Sequence, residues 1–200
     1  MKLYYSPGAC SLSPHIVARE AGVALELEKV DLASKKTAAG EDFRAINPKG
    51  YVPAIRLDDG TLLTEGPAIV QYLADQKPDS GLAARAGSPE RYKLAEWLAF
   101  LNSEVHKVWG GLWNPKAERA PILEKLQPPL GFLENELKSK PYLMGERFSA
   151  ADAYLFTLLN WAQWTQVDLS RFPALTQYAE RVRQRPKVQE ALKVEGLVLQ

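Results

Sequence analysis

An α/β domain followed by an all-helical domain is the fold class this sequence predicts, and three observations predict it. Strand-like and helix-like runs alternate over the first 76 residues. A stretch rich in Gly, Pro and Ser, "KPDSGLAARAGSP", then spans residues 77–89. Beyond it no convincing strand occurs, only helical runs with start signals. The expected organisation is therefore residues 1–78 as one domain, 79–87 as a linker, and 88–200 as a helical domain.

The elements follow in order. Lys2–Tyr5 reads as a short strand closed by Ser6-Pro7-Gly8. From Ser11 to Ala21 the apolar Leu12, Ile16, Val17 and Ala21 recur at helical spacing, and Gly22 ends the run. Pro14 fits only a first turn, so this helix must begin near Cys10 or Ser11. Leu25–Leu32 partly alternates and reads as a second strand, and Glu41–Ile46 as a short helix. "NPKG" turns into "YVPAIRL", a third strand, and the Asp58-Asp59-Gly60 turn joins it to "TLLTE" as a hairpin. Glu65-Gly66-Pro67 opens another helix. The resulting β-α-β-α-β-β-α order is thioredoxin-like, with a four-stranded mixed sheet. In the second half, helices are expected over about 89–109, 118–139, 149–165, 173–185 and 187–194. Gln127-Pro128-Pro129 should kink or split the second of these.

Composition excludes several classes. The 46% hydrophobic and 24% charged content is that of a globular protein. Lys and Arg total 25 against 24 Asp and Glu, a net of +1, which argues against a nucleic-acid partner. No apolar run is long enough to cross a membrane, and the N-terminal apolar run is too short for a signal peptide. One cysteine and two histidines, His15 and His106, offer no zinc-type spacing, so no metal is expected. A single thiol with no possible internal disulfide points to the cytoplasm.

Three local features point to chemistry. Cys10 lies in a turn where a helix begins, and free N–H groups there favour a thiolate. Cys10-Ser11-Leu12-Ser13 has Cys-x-x-Cys spacing with Ser in the second place, so Cys10 can pair only with an outside thiol. In the cytosol the abundant small thiol is glutathione. The plain alternative is a small, inert packing cysteine. Next, Val52-Pro53 precedes a strand; an ordinary trans proline opening a strand also accounts for the dipeptide, but the fold context predicts a cis bond that leaves the Val52 backbone outward, free to pair with a peptide-like ligand. Last, Glu65 and Gly66 stand at a helix N-terminus, where N–H groups suit a carboxylate and Glu65 suits an ammonium. Capping alone also accounts for that pattern.

"SPGACSLSPHI", "NPKGYVPAI", "LTEGPAIVQYLAD" and "ERFSAADAYLF" together resemble the bacterial beta-class glutathione S-transferases, across essentially the whole chain. The resemblance implies a thioredoxin-like domain, a helical domain and a homodimer. It implies that Cys10 faces glutathione, that Val52 pairs with its backbone beside a cis Pro53, and that Glu65 and Gly66 hold the γ-glutamyl end. It further implies that Lys35 reaches the glycine carboxylate, that Tyr5 lies beside the thiol, and that Ser103 and His106 face the site from the other domain. Gly66 stands where Ser is frequent in that family, and Ala99 where Asn is.

The residues also carry plainer readings. His15 reads as a packing residue, and Ser149 with Asp152 as a capping box. Of the five tryptophans, Trp109 and Trp113 are the candidates for an acceptor pocket and the others read as core. The leading expectation is an enzyme, a transferase conjugating the glutathione thiolate to small apolar electrophiles, with Cys10 and His106 as a working pair. Alternatives are a glutathione-dependent thiol–disulfide reductase or reductive dehalogenase in which Cys10 attacks, or a non-enzymatic binding module. A cysteine hydrolase using Cys10 and His106 lacks an identifiable oxyanion hole. Neither the electrophile nor the choice between conjugation and reduction is legible.

Overall fold

The computed structural model describes residues 1–197. In its first part, strands β1 (Lys2–Tyr5), β2 (Glu26–Asp31), β3 (Lys36–Thr37), β4 (Ala54–Arg56) and β5 (Leu62–Thr64) form one sheet in the order β3-β2-β1-β4-β5. β1 runs parallel to β2 and antiparallel to β4, and β5 closes a hairpin on β4. The sheet has five strands rather than the four expected. The extra one, β3, is two residues long and pairs Thr37 with Val30. So short a strand leaves no periodicity to read.

Side-chain alternation along these strands sorts the core into two layers. Leu3 and Ile55 point to one face, with Leu12, Ile16 and Val17 of α1 (Leu12–Ala21) and Ile69, Val70 and Leu73 of α3 (Gly66–Asp75). Tyr4 and Ala54 point to the other, with Val30, Val52 and Phe43 of α2 (Phe43–Ile46). Helix α1 starts at Leu12, with Pro14 in its first turn, and ends on Gly22 at φ 70°. The Val52–Pro53 bond is cis.

The second part is helical: α4 (Pro89–Phe100), α5 (Lys107–Gly110), α6 (Arg119–Leu137), α7 (Ala150–Asn160), α8 (Ala162–Thr165), α9 (Pro173–Arg183) and α10 (Pro186–Val194). The last three residues of the expected helical domain lie outside the described residues. Two expectations are corrected here. The run 89–109 is interrupted by a π-turn at Leu101–His106. The run 118–139, expected to break at Pro128-Pro129, continues as helix α6 through both prolines. The carbonyls left without N–H partners belong to Glu124 and Lys125, both exposed, so water can satisfy them.

Helix α7 is the hub. All 11 of its residues are buried, and it packs on α1, α3, α4 and α9. Its N-terminus carries the expected capping box: the Ser149 N–H and hydroxyl both donate to the Asp152 carboxylate, at 2.8 and 2.6 Å. The linker is docked rather than loose, since Leu82 is buried and its carbonyl accepts from the Ala150 N–H. These contacts fix the α/β part against the helical part, which is what shapes a cleft between them.

Candidate active site

The cleft has a volume of about 810 Å³ and draws its walls from both parts of the chain. From the α/β part come the Ser6–Cys10 turn, Lys35, Val52-Pro53 and Glu65-Gly66; from the helical part come Asn102, His106, Lys107, Tyr154 and three tryptophans. Seven of the nine residues singled out in the sequence thus meet in one place: Cys10, Lys35, Val52, Pro53, Glu65, Gly66 and His106.

Tyr5 and Ser103 are the exceptions, since neither lines the cleft. Tyr5 packs against His15, with ring centroids 6.4 Å apart. Ser103 is exposed, and Asn102 occupies the position expected for it. The π-turn is the cause. Its i→i+5 bonding holds more residues per turn than an α-helix, so Asn102, four before His106, stacks in line with it and Ser103 does not.

Cys10 is placed as expected but is not charged as expected. Helix α1 begins two residues later, and the N–H groups of Cys10 and Ser11 favour the thiolate. Burial opposes them and wins, pushing the thiol up to about 12. The Sγ–H donates instead to the Val52 carbonyl at 3.2 Å, so that carbonyl is occupied rather than outward and unpaired.

His106 does not pair with Cys10 either. Its Nδ1 lies 2.5 Å from the oxygen of the Tyr154 hydroxyl, and that hydroxyl donates to Asn102 Oδ1 at 2.9 Å. Burial first, then the neighbouring Lys107 cation, lower His106 to about 4, so the imidazole is neutral near pH 7. Burial likewise pushes the Tyr154 hydroxyl above its usual range, so it remains protonated. No pattern in the sequence marked Asn102. Tyr154 sat inside a motif read for its cap and for the family resemblance, with no role of its own.

At the α3 end, Glu65 holds φ 71° without being glycine, a strained conformation costing about 1–3 kcal/mol. Its carboxylate receives Lys49 Nζ at 2.6 Å, and both side chains are exposed. Gly66 has room for a side chain: a Cβ there would sit 3.9 Å from Pro53 and Tyr154. Lys35 reaches the Gly50 carbonyl at 3.0 Å.

The aromatic wall departs from expectation. Trp109 is fully buried and donates to Thr165 Oγ1 at 2.9 Å, so it belongs to the core. Trp113 does line the cleft, half exposed, together with Trp161 and Trp164. Trp161 donates to the Gly8 carbonyl at 2.9 Å and packs edge-on against His106, 5.0 Å between centroids. A Cβ at Gly8 would fall 2.8 Å from the Trp164 ring, which explains glycine there beyond its φ of 72°.

Comparisons with known proteins match both parts of the chain. The family model for the glutathione S-transferase N-terminal domain matches residues 8–76, and that for the C-terminal domain matches residues 91–186. Glutathione S-transferase GstA of Escherichia coli is 46% identical over 200 residues, covering 98% of this chain and 100% of the relative. Glutathione S-transferase GST-4.5 of Xanthomonas campestris is 37% identical over 207 residues, covering 98% and 100%. Among solved structures, BphK, a bacterial transferase in a ternary complex, superposes with a TM-score of 0.97 at 53% identity, over 98% of this chain and 100% of that one. A sphingomonad glutathione S-transferase complexed with glutathione gives a TM-score of 0.95 at 49% identity, over 99% and 100%.

Proposed function

This chain belongs to the glutathione S-transferase family, and from that membership we propose that it binds glutathione in the cleft and transfers its thiolate to small apolar electrophiles. The convergence of Lys35, Val52, Glu65, Gly66 and His106 on one cleft is the observation that carries the reading. The first four each have a chemical counterpart in the tripeptide. Lys35 suits the glycine carboxylate, the Val52 N–H suits the cysteinyl carbonyl, and the N–H groups at the start of α3 suit the γ-glutamyl carboxylate. Glu65 suits the ammonium, which displaces Lys49 from it. Trp113, Trp161 and Trp164 offer the electrophile an aromatic wall, and holding both reactants there supplies proximity. Titration calorimetry with glutathione, followed by turnover on a panel of aryl halides and of disulfides, tests this reading. Absence of binding heat at millimolar glutathione, or turnover of disulfides alone, would sink it.

A second reading, thiol–disulfide exchange at Cys10, is favoured by the opening of that residue onto the cleft. Among the relatives, a protein named disulfide-bond oxidoreductase YfcG of Escherichia coli is 29% identical over 206 residues. A thiol held at about 12 is a poor nucleophile near neutral pH, so conjugation is the preferred reading.

The proposal includes a homodimer working in the cytoplasm. Phe132, 47% exposed, meets Phe100 and Trp97 at 5.2 and 5.8 Å between centroids, and this aromatic patch suits a partner subunit. Among the described residues no helix is long and apolar enough to cross a membrane.

A further inference from the structure

Three lysines line the cleft, Lys35, Lys49 and Lys107, and they differ in what holds them. Lys49 Nζ meets the Glu65 carboxylate at 2.6 Å, and Lys35 Nζ donates to the Gly50 carbonyl at 3.0 Å. Both stand on the α/β wall, where the glutathione reading places the tripeptide. Lys107 stands on the helical wall, exposed, and makes no ion pair or side-chain hydrogen bond among the described residues. Its surroundings are aromatic and open. Trp113, Trp161 and Trp164 line that wall, with Trp113 and Trp161 edge-on at 6.0 Å between centroids. Gly110, three residues on and so on the same face of α5, also lines the cleft, and a Cβ there would meet nothing within 4 Å.

We propose that Lys107 selects the acceptor: the cleft takes aromatic electrophiles that carry a carboxylate, with the anion on the Lys107 ammonium and the ring against the tryptophans. This narrows the acceptor class within the glutathione reading and rests on that reading. A wholly apolar acceptor leaves the ammonium facing the cleft without a partner, whereas a carboxylate gives it a charge-assisted hydrogen bond. The pairing also bears on the reaction. A glutathione thiolate and an anionic acceptor repel each other on approach, and a cation beside them offsets that repulsion. In the step, the thiolate sulfur bonds to the ring carbon and the halide departs with its bonding pair. The thiol proton passes to water, and no oxidant or reductant takes part.

The other ionisable groups nearby leave this role to Lys107. His106 beside it is neutral near pH 7 and supplies no second cation, and Cys10 and Tyr154 are uncharged. Glu65 is matched by Lys49, and Glu104, on the π-turn, is exposed and does not line the cleft. Removing the Lys107 cation also relieves its lowering of His106, an effect that should move charged and uncharged acceptors alike. A comparison of two acceptors on the same protein therefore isolates the contact.

The test sets a chlorodinitrobenzoate against its carboxamide, which keeps the ring and the leaving group but not the charge. Conjugation to glutathione is followed for wild type, Lys107→Met, Lys107→Arg and Lys107→Glu. The ratio of kcat/KM for the carboxylate to that for the carboxamide should fall about tenfold in Lys107→Met, the size of one charge-assisted hydrogen bond at a part-exposed site. It should fall further in Lys107→Glu and hold in Lys107→Arg, which keeps the cation. Added salt should lower the ratio in wild type and leave it level in Lys107→Met. A second arm needs no glutathione. Unreactive dinitrobenzoate and dinitrobenzamide are titrated against the tryptophan fluorescence of the ligand-free protein, and the preference for the benzoate should drop in Lys107→Met. A Lys107→Met protein that keeps the wild-type preference overturns the proposal. If wild type neither binds nor conjugates glutathione, the glutathione reading falls by itself, and the fluorescence arm still decides whether Lys107 holds the acid.

Discussion

Cys10 sits where two effects of opposite sign meet: the N–H groups before α1 favour the thiolate, and enclosure by the cleft wall disfavours it. Enclosure is larger, and the thiol rests at about 12. The rise from the ordinary value of 9.0 leaves roughly a thousandfold less thiolate near neutral pH. Alkylation of Cys10 should therefore be slow at neutral pH and still climbing at about pH 10; a plateau by about pH 9 would show an ordinary thiol. The folded state also holds this proton more tightly than the unfolded one. Its contribution to stability is whole below about 9 and lost as pH rises towards about 12. His106 runs the other way. Its folded value near 4 lies below the ordinary 6.5, so the unfolded chain binds the proton first. That contribution is present above about 6.5 and lost as pH falls through about 4. Denaturant melts at stepped pH should show both flanks, and His106→Phe should flatten the acid one between about 6.5 and 4.

Helices show how neighbours override local rules. Pro128 and Pro129 each delete a helical hydrogen bond, yet α6 passes through them: Glu124 and Lys125, whose carbonyls lose their donors, are exposed, while Leu126, Leu130 and Leu133 are buried. Pro129→Ala restores the N–H and should stabilise the protein by about 1–2 kcal/mol. That is the proline penalty of about 3 kcal/mol less the entropy returned to the unfolded chain. A lower melting temperature for the variant would contradict this. The cap of α7 makes the opposite point. Asp152 accepts from the N–H groups of Leu143 and Ser149 and from the hydroxyls of Ser149 and Tyr178. Asp152→Ala leaves these donors buried and unpaired, and should cost about 3–5 kcal/mol in urea unfolding. The capping box was legible from Ser-x-x-Asp spacing; its link to Tyr178 was not, because those residues are far apart in the chain.

Across the whole molecule, the turn that carries Cys10 is held from the far end of the chain. The Gly8 N–H donates to Glu195 Oε2 at 2.9 Å, and Glu195 Oε1 lies 2.8 Å from His15 Nδ1. The reading of His15 as a packing residue stands, with the addition that it anchors the segment after α10 onto α1. Glu195→Ala leaves a buried N–H and a buried imidazole without their partner. It should destabilise the protein by about 3–5 kcal/mol and weaken glutathione binding with it. Binding unchanged at full occupancy of the fold would show that the turn needs no such support. At the same scale, Phe132→Glu should shift the light-scattering mass from dimer to monomer if the aromatic patch is the subunit contact.

Local pattern alone determined the element order, the helix start forced by Pro14, the hairpin at Asp58–Gly60 and the family motifs around Cys10, Val52-Pro53 and Glu65. These depend on periodicity and turn chemistry within a few residues, which the chain carries in linear order. Tertiary structure decided the rest: a two-residue edge strand, the π-turn that exchanged Ser103 for Asn102, the fate of Trp109 against Trp161 and Trp164, and the charge on Cys10 and His106. Each of these turns on what lies within a few ångströms across the fold. The pKa of a thiol or imidazole is set by how much water its neighbours exclude and which dipoles replace that water, and those neighbours come from segments distant in sequence.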